Sequence, residues 1–237
     1  MTRRIPGANT IRRDRIGAQV PTRTAKKQAG AQPPKVRTSN PERSAAMRKR
    51  LLDATIQSLF EIGYFQTSTV EVTERAGVSR GAMLHHFPSK ADLMMAASEH
   101  IVELRRDIHA DRLGHLTTDR EKFLHLVDVL WEAFQTPSGI ARIEIMLGAR
   151  SDPEIGPRFA ELNARLEERH KERVWGLAQR LGIRDRKKVR AFVQLYAAAL
   201  RGLAIDSLSP SSRPDVKAAI GLIKEFQLHM LEQLIKA

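Results

Sequence analysis

One stretch, Thr67 to Phe87 (TSTVEVTERAGVSRGAMLHHF), leaves little choice of local fold: it reads as two short helices joined by a turn too tight for anything but a helix-turn-helix. Ser68 is placed to cap the first helix. Glu71, three residues on, has the reach to return a hydrogen bond to the Ser68 backbone N–H, so S-T-V-E reads as a capping box. Val70, Val72 and Ala76 then give that helix an apolar side. Gly77 stands where the helix must stop, because only glycine enters the left-handed C′ conformation without a steric penalty. Val78 plugs the corner and Ser79 supplies a second N-cap. Arg80 to His86 form a second helix whose N-terminal end is expected to approach phosphates and base edges, the geometry of a DNA-recognition helix.

Composition bounds the rest. The chain has 237 residues, 42% of them hydrophobic, which is enough for a buried core in one large or two small domains. Cysteine is absent, so disulfides, thiolate zinc sites and a cysteine nucleophile are excluded, and a reducing cytoplasm fits. No apolar run approaches the roughly eighteen residues of a membrane span, and no apolar segment follows the N-terminal arginines as a signal peptide requires, so a soluble protein without a membrane partner is expected. The net charge of +13 is uneven: residues 1–40 hold ten Lys or Arg and one acid, Asp14, a balance of +9, leaving +4 for the remainder. That segment is rich in proline and glycine and lacks apolar periodicity, which predicts a disordered basic arm. Two readings of the arm stand level. It holds phosphates or enters a minor groove, or it is a solvated tail, even one produced by an upstream start codon.

From Pro41 onward the apolar spacing is helical and no strand alternation is sustained, so the fold class is all-α. A first helix is expected from about Pro41 to Ile62, ended by Gly63, with Arg48, Lys49 and Arg50 as further candidates for backbone contacts. Pro88 breaks the chain after the helix-turn-helix. Ser89, with Asp92 three residues on, recaps a long helix to about Leu113. Further helices are expected at about 119–135, 138–150, 154–182, 185–208 and 214–236, separated by turn chemistry such as Thr136-Pro137-Ser138-Gly139 and Ser209-Pro210-Ser211-Ser212. The expected domains are therefore a basic arm at 1–40, a helix-turn-helix domain at 41–88 and a helical domain at 89–237.

Residues Met47 to Leu93 resemble the DNA-binding domain of the TetR family of bacterial repressors. The family pattern is carried here by Leu59-Phe60, Gly63-Tyr64, Thr67-Ser68, Ala76 to Ser79, Gly81, His86-Phe87 and Ser89-Lys90, about a fifth of the chain. Where members commonly have Thr-Leu-Tyr in the recognition helix, this chain has Ala82-Met83-Leu84, so the hydroxyl and phenol often used on phosphates and bases are replaced by groups suited to thymine methyls. The resemblance implies a TetR-like, three-helix head followed by a helical bundle for ligand binding and dimerisation. It also implies a homodimer on a palindromic operator in double-stranded DNA, a small-molecule effector, a repressor role, and a bacterial cytoplasmic, nucleoid-associated setting. The DNA-binding candidates are Ser68, Ser79, Arg80, Gly81, Ala82, Leu84, His85 and Lys90. Arg80 is placed for a phosphate or a bidentate guanine contact, and Lys90 matches the family's phosphate-contacting lysine.

In the C-terminal part, Trp131, Phe134, Arg142, Met146 and Tyr196 are the candidate pocket residues, with Glu144 a further polar anchor. Phe192, Ala197, Leu200 and Phe226 are the candidate dimer interface, where Ala197, Ala198, Ala199 and Gly202 would permit close helix approach. His85 and His86 are adjacent and project about 100° apart, so they do not form the shared face of a two-histidine metal site. No metal, cofactor or catalytic group is expected, because no nucleophile with a base, paired carboxylate motif or phosphate-binding glycine loop is present. An enzyme is the first rival reading. A non-specific nucleoid protein driven by the arm is the second.

Overall fold

The computed structural model describes residues 40–236. All of the expected basic arm except Asn40 therefore lies outside the described residues. Among those described there are helices and no strand, in the order α1 Asn40–Gln66, α2 Thr69–Ala76, α3 Arg80–His86, α4 Lys90–Gly114, α5 Asp119–Leu124, α6 Leu126–Phe134, α7 Pro137–Ala149, α8 Gly156–Arg180, α9 Arg186–Asp206 and α10 Arg213–Lys236, with a 3-10 turn at Pro210–Ser212. None of these helices is long and apolar enough to cross a membrane.

The caps explain where the head's helices begin and end. The Ser68 hydroxyl accepts from the Glu71 N–H, the Ser79 hydroxyl from the Ala82 N–H and the Ser89 hydroxyl from the Asp92 N–H. Gly77 takes the left-handed conformation at φ 61°, and the Val78 N–H reaches back to the Thr73 carbonyl. The expected box at Ser68 is only half built, because the Glu71 carboxylate is engaged elsewhere: it accepts from the Ser58 hydroxyl and from Arg75. Arg50 of α1 donates to the Ala76 carbonyl, placing a cation at the C-terminus of α2 where the helix dipole favours it. Of the three residues expected on the apolar side of α2, Val72 and Ala76 are buried and Val70 is 52% exposed.

Two differences from the sequence reading have identifiable causes. At Gly63 the backbone leaves the helix (φ 78°, ψ 174°), and one further turn follows it before α1 ends at Gln66. The helix expected at 119–135 is two helices broken at His125. An unbroken helix would offer the Phe123 carbonyl to Val127, but here it accepts at 2.6 Å from the amide of Gln227, a buried side chain of α10.

Burial follows two clusters. One unites Leu51, Leu52 and Leu59 of α1 with Met83 of α3, Leu93, Met94 and Ile101 of α4, and Ala141, Ile145 and Ala149 of α7. The other joins Phe123, Val127, Leu130 and Phe134 to Leu177, Phe192, Tyr196 and Leu200, with Leu231 of α10. The core of the head thus continues into α7, which contributes Ile140 and Ile143 to the second cluster as well.

Candidate nucleic-acid interface and ligand cavity

In α3 the chain turns one apolar side chain inward and the rest outward. Met83 is wholly buried and anchors the helix, while Arg80, Gly81 and His85 are exposed, Leu84 is 42% exposed and Ala82 is partly exposed. His86 leans on Phe87, with ring centroids 6.3 Å apart, and burial followed by the charges of His85 and Arg48 lowers its pKa. The face of α3 directed to solvent therefore carries a guanidinium, an imidazole and apolar carbon, a set able to pair with base edges and to meet a thymine methyl. The hydroxyls of Ser68 and Ser79 are engaged in capping. Arg48 stacks 5.3 Å from the Phe87 centroid, and Lys49 pairs with Asp53.

Lys90 has a different setting from that of a free surface lysine. Its ammonium donates to the Tyr64 carbonyl at 3.1 Å and lies 4.6 Å from the Tyr64 ring centroid. Burial lowers its pKa, partly opposed by Asp152. Tyr64 is itself the junction between head and body. Its backbone N–H donates to Glu144 of α7 at 2.9 Å and its phenol donates to Asp152 at 2.8 Å. Its ring lies so close to Gly148 that a Cβ there would come within 2.1 Å of the Tyr64 Cγ. Close by, the start of α4 is tied to the segment around the start of α8 by the Ser89 hydroxyl donating to Glu154 and by Arg158 pairing with Asp92. Sequence reading placed Glu144 with the ligand anchors. Its partner proves to be the head, a relation hidden by a separation of 80 residues.

A cavity of about 210 Å³, open to solvent on one side, lies between α4, α6, α7, α8 and α9. Three of the five expected pocket residues, Phe134, Arg142 and Met146, line it. Trp131 does not: one position beyond the lining residue Leu130, it is turned about 100° around α6 and borders shallow clefts on another face. Tyr196 stands behind the wall, fully buried, with its hydroxyl 2.8 Å from the Nε2 of lining residue His170. Sequence reading missed Arg105, His109, His170, Arg173 and Arg201, all of which line the space. A signal for Arg105 did exist, since it falls four residues after Ile101 and three before Ile108, on the apolar stripe of α4.

The wall is unusually cationic. Arg105 stacks 4.9 Å from the Phe134 ring centroid, and its Nε and Nη2 are buried with no hydrogen-bond partner among the described residues. Burial, reinforced by Arg142 and Arg201, pushes its pKa down to about 9. Arg142 donates through Nη2 to the Asn163 side-chain carbonyl, and Asn163 donates on to Glu167 at 2.8 Å; Nη1 of Arg142 is buried and unpartnered. Its pKa is pushed to about 10 by burial, then by Arg201, with Glu167 opposing. His109 and His170 are each held down to about 4 by burial and then Arg173, so both rings are neutral at pH 7. Among the described residues no cluster of three metal-ligating side chains occurs.

The expected interface residues fall in different places. Leu200 and Phe192 are buried inside the protomer, Phe192 against Phe123 and Tyr196, and Ala197 lines the cavity. Leu200 and Phe192 are therefore corrected to the protomer's own core, because α9 spends that face on α6, α8 and α10, while Ala197 is only partly buried. Phe226 is half exposed, and with Leu195, Ile205 and Leu222 it belongs to the exposed apolar side chains of α9 and α10.

The family model for bacterial regulatory proteins of the tetR family matches residues 51–97. The HTH-type transcriptional regulator CymR of Pseudomonas putida is 30% identical over 179 residues, covering 74% of this chain and 85% of that protein. An HTH-type transcriptional regulator of Mycobacterium tuberculosis is 28% identical over 106 residues, 45% of this chain; the chain spans about half of that relative, 54% of its length. Among solved structures, a transcriptional regulator from Saccharomonospora viridis in complex with choline superposes with a TM-score of 0.61 at 18% identity, over 79% of this chain and 96% of that one, a likeness of fold.

Proposed function

We propose that this chain, which belongs to the TetR family of bacterial regulatory proteins, is a homodimeric repressor that holds a palindromic operator and leaves it when a small effector enters the cavity between α4, α6, α7, α8 and α9. Family membership makes it a DNA-binding transcriptional regulator. Repression, the palindrome, the dimer and the effector response are our reading.

The observation that carries the reading is the double use of α7. Arg142 and Met146 line the cavity, whereas Glu144 and Gly148 grip Tyr64 at the end of α1. These positions alternate along one helix, so an effector that displaces Arg142 or Met146 also moves the residues that set the angle of the head. α4 adds a second link, running from Lys90 against Tyr64 to Arg105 and His109 in the cavity wall. Effector binding would then favour a state in which the two recognition helices of a dimer no longer match successive major grooves. Arg80, Ala82, Leu84 and His85 would face the bases, with Gly81 admitting the backbone closely. Ser68 and Ser79 would serve as caps beside the phosphates, and Lys90 would act on DNA binding through Tyr64. The two protomers would meet through the exposed apolar side chains of α9 and α10, Leu195, Ile205, Leu222 and Phe226.

Selection of bound duplexes from a random pool tests the reading. Enrichment of an inverted repeat with half-sites about one helical turn apart is the expected result. Recovery of unrelated sequences with equal efficiency would favour the non-specific nucleoid alternative.

A further inference from the structure

The cavity wall sets six guanidinium groups, Arg105, Arg106, Arg142, Arg169, Arg173 and Arg201, against two carboxylates, Glu103 and Glu167. Glu167 already accepts from Asn163, which in turn binds Arg142. Guanidinium N–H groups that are buried without a partner are expensive, since their hydration has been lost and nothing replaces it. Three such atoms belong to arginines of this wall, Nε and Nη2 of Arg105 and Nη1 of Arg142, close beneath its surface. Nε and Nη2 form one edge of a guanidinium, the edge that meets a carboxylate side-on with both oxygens engaged. Beside Asn163 and the neutral rings of His109 and His170, the apolar part of the lining includes Leu130, Phe134, Ile143, Met146 and Leu166.

We infer that the ligand of this cavity is an organic acid, a compact amphiphile whose single carboxylate is clasped by Arg105 and Arg142 while its apolar body lies against Phe134, Ile143 and Met146. The unpartnered N–H groups on these three nitrogens suffice to occupy both oxygens of one carboxylate. A cationic ligand meets an excess of like charge, six guanidinium groups against two carboxylates, and a neutral one leaves the guanidinium edge without a charged partner. The cavity far exceeds the roughly 10–15 Å³ needed by one water, so it has room for such a molecule. The inference rests on the ligand-responsive reading above only for its DNA readout.

The test uses the full chain and a defined series: hexanoate, octanoate, phenylacetate and 3-phenylpropionate, each beside its primary amide, with choline as the cationic comparison. Calorimetry and thermal shift should find at least one acid that binds and raises Tm, its amide at least tenfold weaker, and no choline binding. Arg105→Met should abolish the response to the acid. Without any acid the variant should melt at or above the parent temperature, because an unpaired buried charge has been removed. An amide binding as tightly as its acid, preference for choline, no acid of the series binding, or a ligand-free Arg105→Met protein that melts well below the parent would each overturn the inference. Operator release completes the separation of the two ideas. An acid that binds through Arg105 without releasing DNA upholds the organic-acid assignment and defeats the effector response. Release by choline or an amide does the reverse.

Discussion

Met83 and Leu84 are neighbours in α3, yet the first is wholly buried and the second 42% exposed, and that single step of about 100° decides which side chains are available to DNA. Arg80 and His85 lie on the outward side with Leu84. Arg80→Ala or His85→Ala is therefore expected to weaken binding to the selected duplex by about 1–3 kcal/mol while changing non-specific binding little, as expected of a base-edge contact. Competition assays against random DNA check this, and equal losses on both would remove the side chain from the base-reading set. The cavity histidines make a second prediction at this scale. His109 and His170 are held at about 4 by burial and Arg173, below the ordinary value of about 6.5, so the unfolded chain binds more protons between those limits. Stability is fully present above about pH 6.5 and is lost as pH falls toward 4, by up to about 3 kcal/mol per ring. Melting temperature should decline over that window, and a His109→Gln, His170→Gln protein should show a flatter profile; equal slopes would sink the assignment.

At the scale of elements, what the sequence revealed was local and what it hid was distant. Ser68, Ser79, Ser89 and Gly77 act on residues within five positions of themselves, so their caps and the helix limits they set were legible. The break at His125 was not, because its cause is Gln227, 104 residues away. The orientation of α9 was hidden for a related reason. With apolar residues around more than one face, spacing does not say which face the protomer keeps, and Leu200 and Phe192 turn out to be kept. The two faces can be separated by substitution. Leu222→Arg puts a charge on a side chain already 65% exposed, so the protomer should fold normally and run as a monomer by sedimentation, with palindromic binding lost. Leu200→Arg buries an unpaired charge and should cost several kcal/mol, giving an unfolded or insoluble chain. A folded Leu222→Arg dimer would move the interface elsewhere. The junction offers a further case: Gly148→Ala drives a methyl into the Tyr64 ring, an overpacking worth typically 1–3 kcal/mol, and should lower Tm and operator affinity together.

For the whole molecule, charge is the property the sequence displays most openly. Of the net +13, residues 1–38 hold ten basic side chains and one acid, so a chain beginning at Ser39 retains +4. Neutralising phosphates with lysine and arginine releases counterions, and the logarithm of affinity falls against the logarithm of salt by roughly 0.9 for each phosphate contact. Every residue of the two buried clusters lies at Leu51 or beyond, so the shortened chain keeps the apolar contacts of the head and of the bundle and should fold and dimerise as before. If the arm lies on DNA, the truncated protein should lose affinity most at low salt, with a salt slope shallower by about 0.9 for each contact removed. Its preference for operator over random DNA should change less, because phosphate contacts position a protein and base contacts specify the site. A truncated protein with the affinity and the salt slope of the full chain would make the arm a passive tail and leave DNA reading to α3 and the residues around it.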